Sequence, residues 1–395
     1  MLLPLSDAPN PGGRPYVTYG LLAANIIVYL LVSLPLGTQP PDPASPAFQA
    51  YVEMVRDQLP SNVSLRAALA NTSAYEIYVF EHGYKPAAPQ VADLLYSLFL
   101  HGGFLHLFGN MLFLWIYGDN VEYRLGRVAY LLSYLGTGIA ATLFFSLFAL
   151  DSAVPLVGAS GAISGVLGFY FLWFPRNTVR LFVFLVPFFM NVVAVPARIV
   201  LGVYLLIDNV LPFLVSTGGG GGVAHGAHIG GFLAGLAGAW LIDRRGTASR
   251  RAGYASDVAL DGAPAAAVEG AAGQGDMARA ATAYFALPPE QARKALRPDE
   301  SLALGDWLAA GGHGEAALVV YRRHLRDYPS HATAAAAHVG AGLVQLEQLG
   351  QVAPAYQHFL EALDLGADAE TAARARAALA RIAALQKYNI GRPTG

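Results

Sequence analysis

Residues 99–126 read FLHGGFLHLFGNMLFLWIYGDNVEYRLG, and two properties of this stretch decide how the rest of the chain is read. From Phe104 to Gly118 it is apolar enough for lipid, yet it opens on His101, His106 and Asn110. Polar and ionisable side chains are expensive in hydrocarbon, so those that persist there are functional candidates by default. On a helix His106 and Asn110 are four residues apart and share a face.

Working outward, the 395-residue chain is 55% hydrophobic and 13% charged, against about 25% charged in soluble domains. Between Arg127 and Trp240 the only charged residues are Arg127, Asp151, Arg176, Arg180, Arg198 and Asp208, whereas the sequence after Ile242 is dense in Arg, Asp and Glu. A membrane half therefore precedes a soluble half. Apolar stretches at 17–37, 104–118, 128–150, 157–174, 195–216 and 223–242 approach the roughly 20 residues that a helix needs to cross the hydrocarbon core, which predicts six spans. Segment 181–193 is too short to count and reads as a lead into the fifth helix or an interfacial piece. Residues 1–16, with Pro4, Pro9, Pro11 and Pro15, read as an exposed tail without the features of a signal peptide. The long 38–95 stretch reads as a structured, partly amphipathic loop.

Orientation follows the arginines. Arg124 and Arg127 lie between spans two and three, Arg176 and Arg180 between four and five, and Arg244, Arg245, Arg250 and Arg251 after six. All three places share one side, which the positive-inside rule makes cytoplasmic. Both termini are then inside, and the 38–95 loop faces out. A net charge of -2 supplies no clustered basic field, so no nucleic-acid partner is expected. With no cysteine in the chain, disulfides, thiolate metal sites and a cysteine nucleophile are excluded.

Residues 244–275 are rich in Ala, Gly and Ser without apolar period, the composition of a flexible linker. From Asp276 the sequence turns Ala-rich and helical. Gly312, Ala317 and Tyr321 recur with identical spacing as Gly350, Ala355 and Phe359, a Leu304-Gly305 pair precedes the first set and Pro329 closes it. This resembles degenerate tetratricopeptide repeats, which implies stacked helical hairpins over 276–390 and a concave surface for a protein partner. The offset is longer than the usual repeat of about 34 residues, and Ala367 stands where the second unit should have its proline. Dimerisation or packing against the membrane part is an equal reading of this region.

Two further polar clusters open spans. Gly158-Ala159-Ser160-Gly161 starts span four, where free N–H groups and the positive dipole end favour a developing anion. His225-Gly226-Ala227-His228-Ile229-Gly230-Gly231 starts span six, with Gly235 one turn on allowing close helix contact. Spans two, four and six all begin outside, so the three clusters converge at one depth. A hydroxyl at a helix N-terminus, an imidazole within reach, and amide and imidazole donors nearby are the parts of acyl transfer by an activated serine.

Jointly and in order, the 99–126 stretch, VGASGAISG and AHIGGFLAG resemble the rhomboid intramembrane serine proteases over residues 17–243. The resemblance implies a polytopic, all-α fold, a six-transmembrane-helix rhomboid-like bundle, here with a soluble α-hairpin domain attached. It implies Ser160 as nucleophile and His228 as general base, with His106, Asn110 and the Ser160 N–H stabilising the oxyanion. It also implies that His101, Gly158, Gly161 and Gly231 support the site, and that Glu122 and Arg124 are structural. Some members carry a Tyr one turn after the serine, stacked on the histidine; here that place is Ser164. No acid completes a triad, because Asp208 in span five reads as a packing or loop-end residue. Gly218 to Gly222 would permit a mobile cap.

The implied function is a serine endopeptidase cleaving transmembrane protein substrates within the lipid bilayer near its outer face, without cofactor. Compositional bias points to a bacterial inner membrane. The alternative within the same family is a catalytically silent scaffold that binds membrane clients, and a transporter would need inverted repeats that are not evident. Zinc proteolysis would need H-E-x-x-H, which is absent, so no metal is expected. Ser160 also admits a reading as a helix cap, and His225 reads best as an interfacial histidine bonded to backbone. The Gly231 and Gly235 pair reads as helix packing.

Overall fold

The computed structural model describes residues 2–11, 13–59, 62–185, 189–215, 225–256, 265–287, 291–292 and 295–390. They form two compact units. The first comprises Met1–Ser6, Gly13–Pro175 and Val179–Ala239, and the second Asp7–Gly12, Arg176–Thr178 and Trp240–Gly395.

A helix occupies each of the six expected apolar stretches: α1 (Tyr16–Gly37), α6 (Phe104–Leu125), α7 (Arg127–Ser146), α8 (Ser160–Trp173), α9 (Ala197–Val215) and α10 (His225–Ser256). Among the described residues α1, α7 and α9 are long and apolar enough to cross a membrane. A fourth span results if α5 (Asp93–Phe99) and α6, bent by 93° at their break, are taken together. The break is Leu100-His101-Gly102-Gly103, and it places His106 in the opening turns of α6. The 38–95 region folds into α2 (Pro46–Gln58), α3 (Leu65–Leu69), α4 (Ala74–His82) and α5. Ser45, Ser64 and Ser73 accept bonds from the backbone N–H groups of the turns that begin α2, α3 and α4, as capping serines do.

Glu122 and Arg124 are structural here. The buried Glu122 carboxylate accepts from the Val17 and Thr18 N–H groups at 2.9 and 2.7 Å and from the Thr18 hydroxyl at 2.8 Å. It thus satisfies donors that the first turn of α1 cannot use internally. Arg124 stacks its guanidinium 4.2 Å over the Trp173 ring, tying the end of α6 to the end of α8.

The expectation of an all-α chain is corrected by a three-stranded sheet, in the order β1 (Leu2–Ala8), β2 (Thr178–Leu185), β3 (Phe189–Pro196). The expected N-terminal tail is therefore an edge strand, where Pro4 is tolerated because no ladder donor is needed on its open side. The segment read as interfacial is two strands. Val179 and Leu181 are buried and Arg180 between them is exposed, the alternation of a half-buried strand. Within the 244–275 stretch α10 continues to Ser256 and α11 covers Ala265–Gly273, and 257–264 lie outside the described residues. The glycine run 218–222 lies outside the described residues.

The second unit is helical: α11, α12 (Met277–Ala286), α13 (Pro298–Ala310), α14 (Gly314–Asp327), α15 (Ala334–Leu343), α16 (Val352–Asp364) and α17 (Ala369–Ile390). Successive helices pack as α11 with α12, α13 with α14, α15 with α16 and α16 with α17. The recurring residues fill equivalent places. Gly312 and Gly350 turn the chain with φ of +77° and +64°, Ala317 and Ala355 are fully buried, and the rings of Tyr321 and Phe359 occupy space next to Gly305, Gly340 and Gly342.

Candidate active site

Ser160 is the first residue of α8, with Ala159 before it at the capping position and no side-chain cap bond. The cap reading of Ser160 is thereby corrected, because its hydroxyl is engaged elsewhere. Its Oγ lies 2.7 Å from His228 Nε2, across 68 residues of sequence. Glycines bring the two helices this close. A Cβ added at Gly231 would collide with the Gly161 carbonyl oxygen, one added at Gly235 with that of Gly165, and one added at Gly168 with that of Phe232. Backbone therefore meets backbone along the α8–α10 crossing, as small residues permit in membrane helices. Gly161 also has the Ala141 methyl of α7 within 2.7 Å of where its own Cβ would stand.

Gly158 has φ of +127°, a conformation that L side chains rarely adopt. A Cβ here would also stand 2.8 and 2.9 Å from Cε1 and Nε2 of His106, and 3.6 Å from the Ser160 hydroxyl. The His106 imidazole thus lies against the turn that delivers Ser160. One helical turn further along the same face of α6, Asn110 is buried and its Nδ2 has no hydrogen-bond partner among the described residues. An unmet buried donor is costly, so Asn110 keeps a donor free beside the residue that faces Gly158.

His101 is fully buried behind His106, ring centroids 5.2 Å apart in an edge arrangement. The Tyr75 hydroxyl donates to its carbonyl at 2.8 Å, and its own N–H donates back to that hydroxyl at 3.1 Å. It is a wall of the site built from the loop region. His225 sits 6.5 Å from the His228 ring, and its Nδ1 is buried without a partner.

A residue that the sequence pattern does not single out completes the surroundings of His228. Asn209 of α9, buried, places Oδ1 2.7 Å from His228 Nδ1 and donates from Nδ2 to the Tyr204 carbonyl at 2.9 Å. Asp208, its neighbour, is exposed. Ser164, where some rhomboid members have a tyrosine, contacts the hydroxyl of Tyr204 at 3.4 Å. Among the described residues no three His, Cys, Asp or Glu side chains gather in a way that could hold a metal ion.

Comparison with known proteins bears on the same helices. Residues 88–245 match the Rhomboid domain. "Rhomboid protein 1, mitochondrial" of Saccharomyces cerevisiae is 39% identical over 99 residues, covering 24% of this chain and 29% of that protein. "Rhomboid-like protein 11, chloroplastic" of Arabidopsis thaliana is 30% identical over 167 residues, 39% of this chain and 53% of the relative. "Rhomboid protease GluP" of Bacillus subtilis is 44% identical over 75 residues, 19% and 14% of the two chains. The chain thus spans between 14% and 53% of the length of these curated relatives. The matches support the rhomboid family and an integral membrane protein, and the family match runs from α5 through α6, α7, α8, β2, β3 and α9 to the start of α10.

Proposed function

We propose that the protein is an intramembrane serine endopeptidase that cleaves transmembrane protein substrates near the outer membrane face. The observation that carries this reading is the 2.7 Å approach of Ser160 Oγ to His228 Nε2. A glycine-lined helix crossing holds the two residues together. In the proposed reaction His228 takes the Ser160 proton as Oγ attacks the scissile carbonyl, and returns it to the leaving amine. The oxyanion develops beside the first-turn N–H groups of α8, the His106 ring and the free Asn110 donor. Each well-aimed donor of this kind is worth about 3 kcal/mol to the transition state.

Six spans with cytoplasmic termini follow from the arginine distribution in the three loops on one side. A Bacillus subtilis relative is named a rhomboid protease, which favours the peptidase over the silent scaffold, as does the intact serine and histidine pair. The C-terminal helices are proposed to be a tetratricopeptide-like module for a protein partner, on the recurrence of glycine, alanine and ring at matched places.

The test is cleavage of a labelled transmembrane reporter by the purified, reconstituted protein beside Ser160→Ala and His228→Ala, each checked for folding. Wild-type cleavage with both variants at background is expected. A wild type that cuts none of several reporters, with a fluorophosphonate leaving Ser160 unlabelled, sinks the peptidase reading.

A further inference from the structure

How His228 is held is answered by α9 rather than by α8. Asn209 lies in the π-helical turn Leu206–Val210 that interrupts α9, and a widened turn of this kind often marks a functional place. Successive residues point about 100° apart around a helix, and here Asn209 is the buried one of the pair while Asp208 is exposed.

The hydrogen bonds around Asn209 fix their own direction. Its Nδ2 donates to the Tyr204 carbonyl, which can only accept, so the atom facing His228 at 2.7 Å is the oxygen Oδ1. An amide oxygen cannot donate. His228 Nδ1 must therefore carry the proton, and in the neutral imidazole Nε2 is left with a lone pair. That lone pair points to the Ser160 hydroxyl 2.7 Å away. The reversed amide would set an oxygen against the Tyr204 carbonyl.

We propose that Asn209 is the positioning residue of a Ser160–His228–Asn209 triad. It holds the His228 ring in place and selects the tautomer that can receive the serine proton. This proposal rests on the peptidase reading. When His228 becomes an imidazolium during attack, its Nδ1–H still donates to Asn209 Oδ1, so the bond persists through the step and no proton moves to the amide. The Tyr204 segment does the orienting that a ring one turn after Ser160 would otherwise do, because that place is held by Ser164 against the Tyr204 hydroxyl.

The experiment compares wild type, Asn209→Leu, Asn209→Asp and Ser160→Ala in the full-length reconstituted protein. Each is measured for reporter kcat and KM from pH 5 to 9 and for fluorophosphonate labelling rate, with thermal unfolding as the folding check. Asn209→Leu, similar in size and without an acceptor, is expected to lose about 10²-fold in kcat and in labelling rate with KM within twofold. Asn209→Asp keeps the acceptor and is expected to recover at least tenfold of that loss. Its acid limb should move to higher pH, since a carboxylate favours the charged imidazole. His106 and His225, the other titratable groups near His228, are the same in every variant. Asn209→Leu retaining wild-type kcat, or a folded Asn209→Asp as impaired as Leu with an unmoved pH profile, overturns the triad while leaving the peptidase intact. A wild type inert to reporter and probe alike overturns both.

Discussion

At the α8–α10 crossing of the first unit Gly231 and Gly235 face backbone, although Gly226, Gly230 and Gly238 of the same α10 border phenylalanine rings; in the second unit Gly305, Gly340 and Gly342 border rings. Gly231 stands against the carbonyl of Gly161 and Gly235 against that of Gly165, whereas Gly305 and Gly340 border the Tyr321 ring and Gly342 borders Phe359. The solvent accounts for the backbone-to-backbone contact at the crossing. Lipid tails are as apolar as leucine, so burying a large side chain between membrane helices gains little and close backbone approach gains contact instead. In water the reverse holds: removing an aromatic ring from solvent stabilises by several kcal/mol, and glycine makes the slot that admits it.

The sharpest break of this comparison is Gly231→Val. A ring tip can swing aside, but the Gly161 carbonyl is fixed in a helix one residue from Ser160. The added bulk must push α10 away and carry His228 with it. A displacement near 1 Å costs about 10² in rate, so reporter cleavage and fluorophosphonate labelling should fall at least that far. Gly136→Ala, at a place in α7 where an added Cβ meets nothing within 4 Å, should leave both unchanged. Equal effects of the two substitutions would remove the claim that the crossing sets the dyad.

The counterpart in the second unit is Phe359→Ala. The ring is fully buried beside Val339, Ala355, Ala362, Ala375 and Ile382, and its removal leaves a cavity costing about 3–5 kcal/mol. Hydrogen exchange read by mass spectrometry on the intact protein should show peptides from α15 to α17 losing most of their protection. Loss confined to α16 would mean that these helices do not share one core.

Legibility in the sequence divides along the same line. His106, Asn110, Ser160 and His228 draw notice because a polar residue in an apolar helix is expensive, and the resemblance to the rhomboid proteases supplies the roles proposed for them. The Gly312 and Gly350 recurrence is readable because a repeated hairpin repeats its constraints. The sheet is not: Leu2–Ala8 finds its partner in Thr178–Leu185, a pairing for which the local sequence carries no signal, and Pro4 argues for a tail. Asn209 is hidden for another reason. Asn209 is an uncharged polar residue inside the π-turn at Leu206–Val210, outside the three motifs that open spans two, four and six. Asp208 draws notice because it carries a charge, although the acceptor beside His228 Nδ1 is the neutral Asn209.

A smaller effect separates the second unit by pH. His338 of α15 and His358 of α16 face each other Nδ1 to Nδ1 at 2.8 Å, which requires one neutral nitrogen to accept. Burial pushes His338 down to about 4, below the roughly 6.5 of an unfolded chain. The unfolded state therefore binds the proton first. Stability is fully present above about pH 6.5 and declines as pH falls towards 4, by about 2 kcal/mol after allowing for the ring's partial exposure. Exchange protection of α15 and α16, compared at pH 7.5 and pH 5, should show the decline. His338→Gln, which cannot titrate, should flatten it. An unchanged slope in that variant would move the acid sensitivity to another group.

The smallest effect tests whether glycine is needed for space or for backbone. Gly312 and Gly350 have positive φ with, at Gly312, nothing within 4 Å of an added Cβ. Gly312→Ala therefore meets no neighbour and pays only for the left-handed conformation, about 1 kcal/mol. Asparagine visits that region more readily, so Gly312→Asn should cost about half as much. Gly158→Ala adds a collision with the His106 ring to the same kind of backbone strain and should cost considerably more, with loss of fluorophosphonate labelling as well as stability. Urea midpoints of the three variants, followed by exchange protection in the affected helices, give the order directly. If Gly312→Ala proved as damaging as Gly158→Ala, the turn between α13 and α14 would have a contact that its geometry does not reveal. If Gly158→Ala proved as mild as Gly312→Ala, the turn before Ser160 would be free to move away from His106, and the ring could not be counted among the fixed donors of the site.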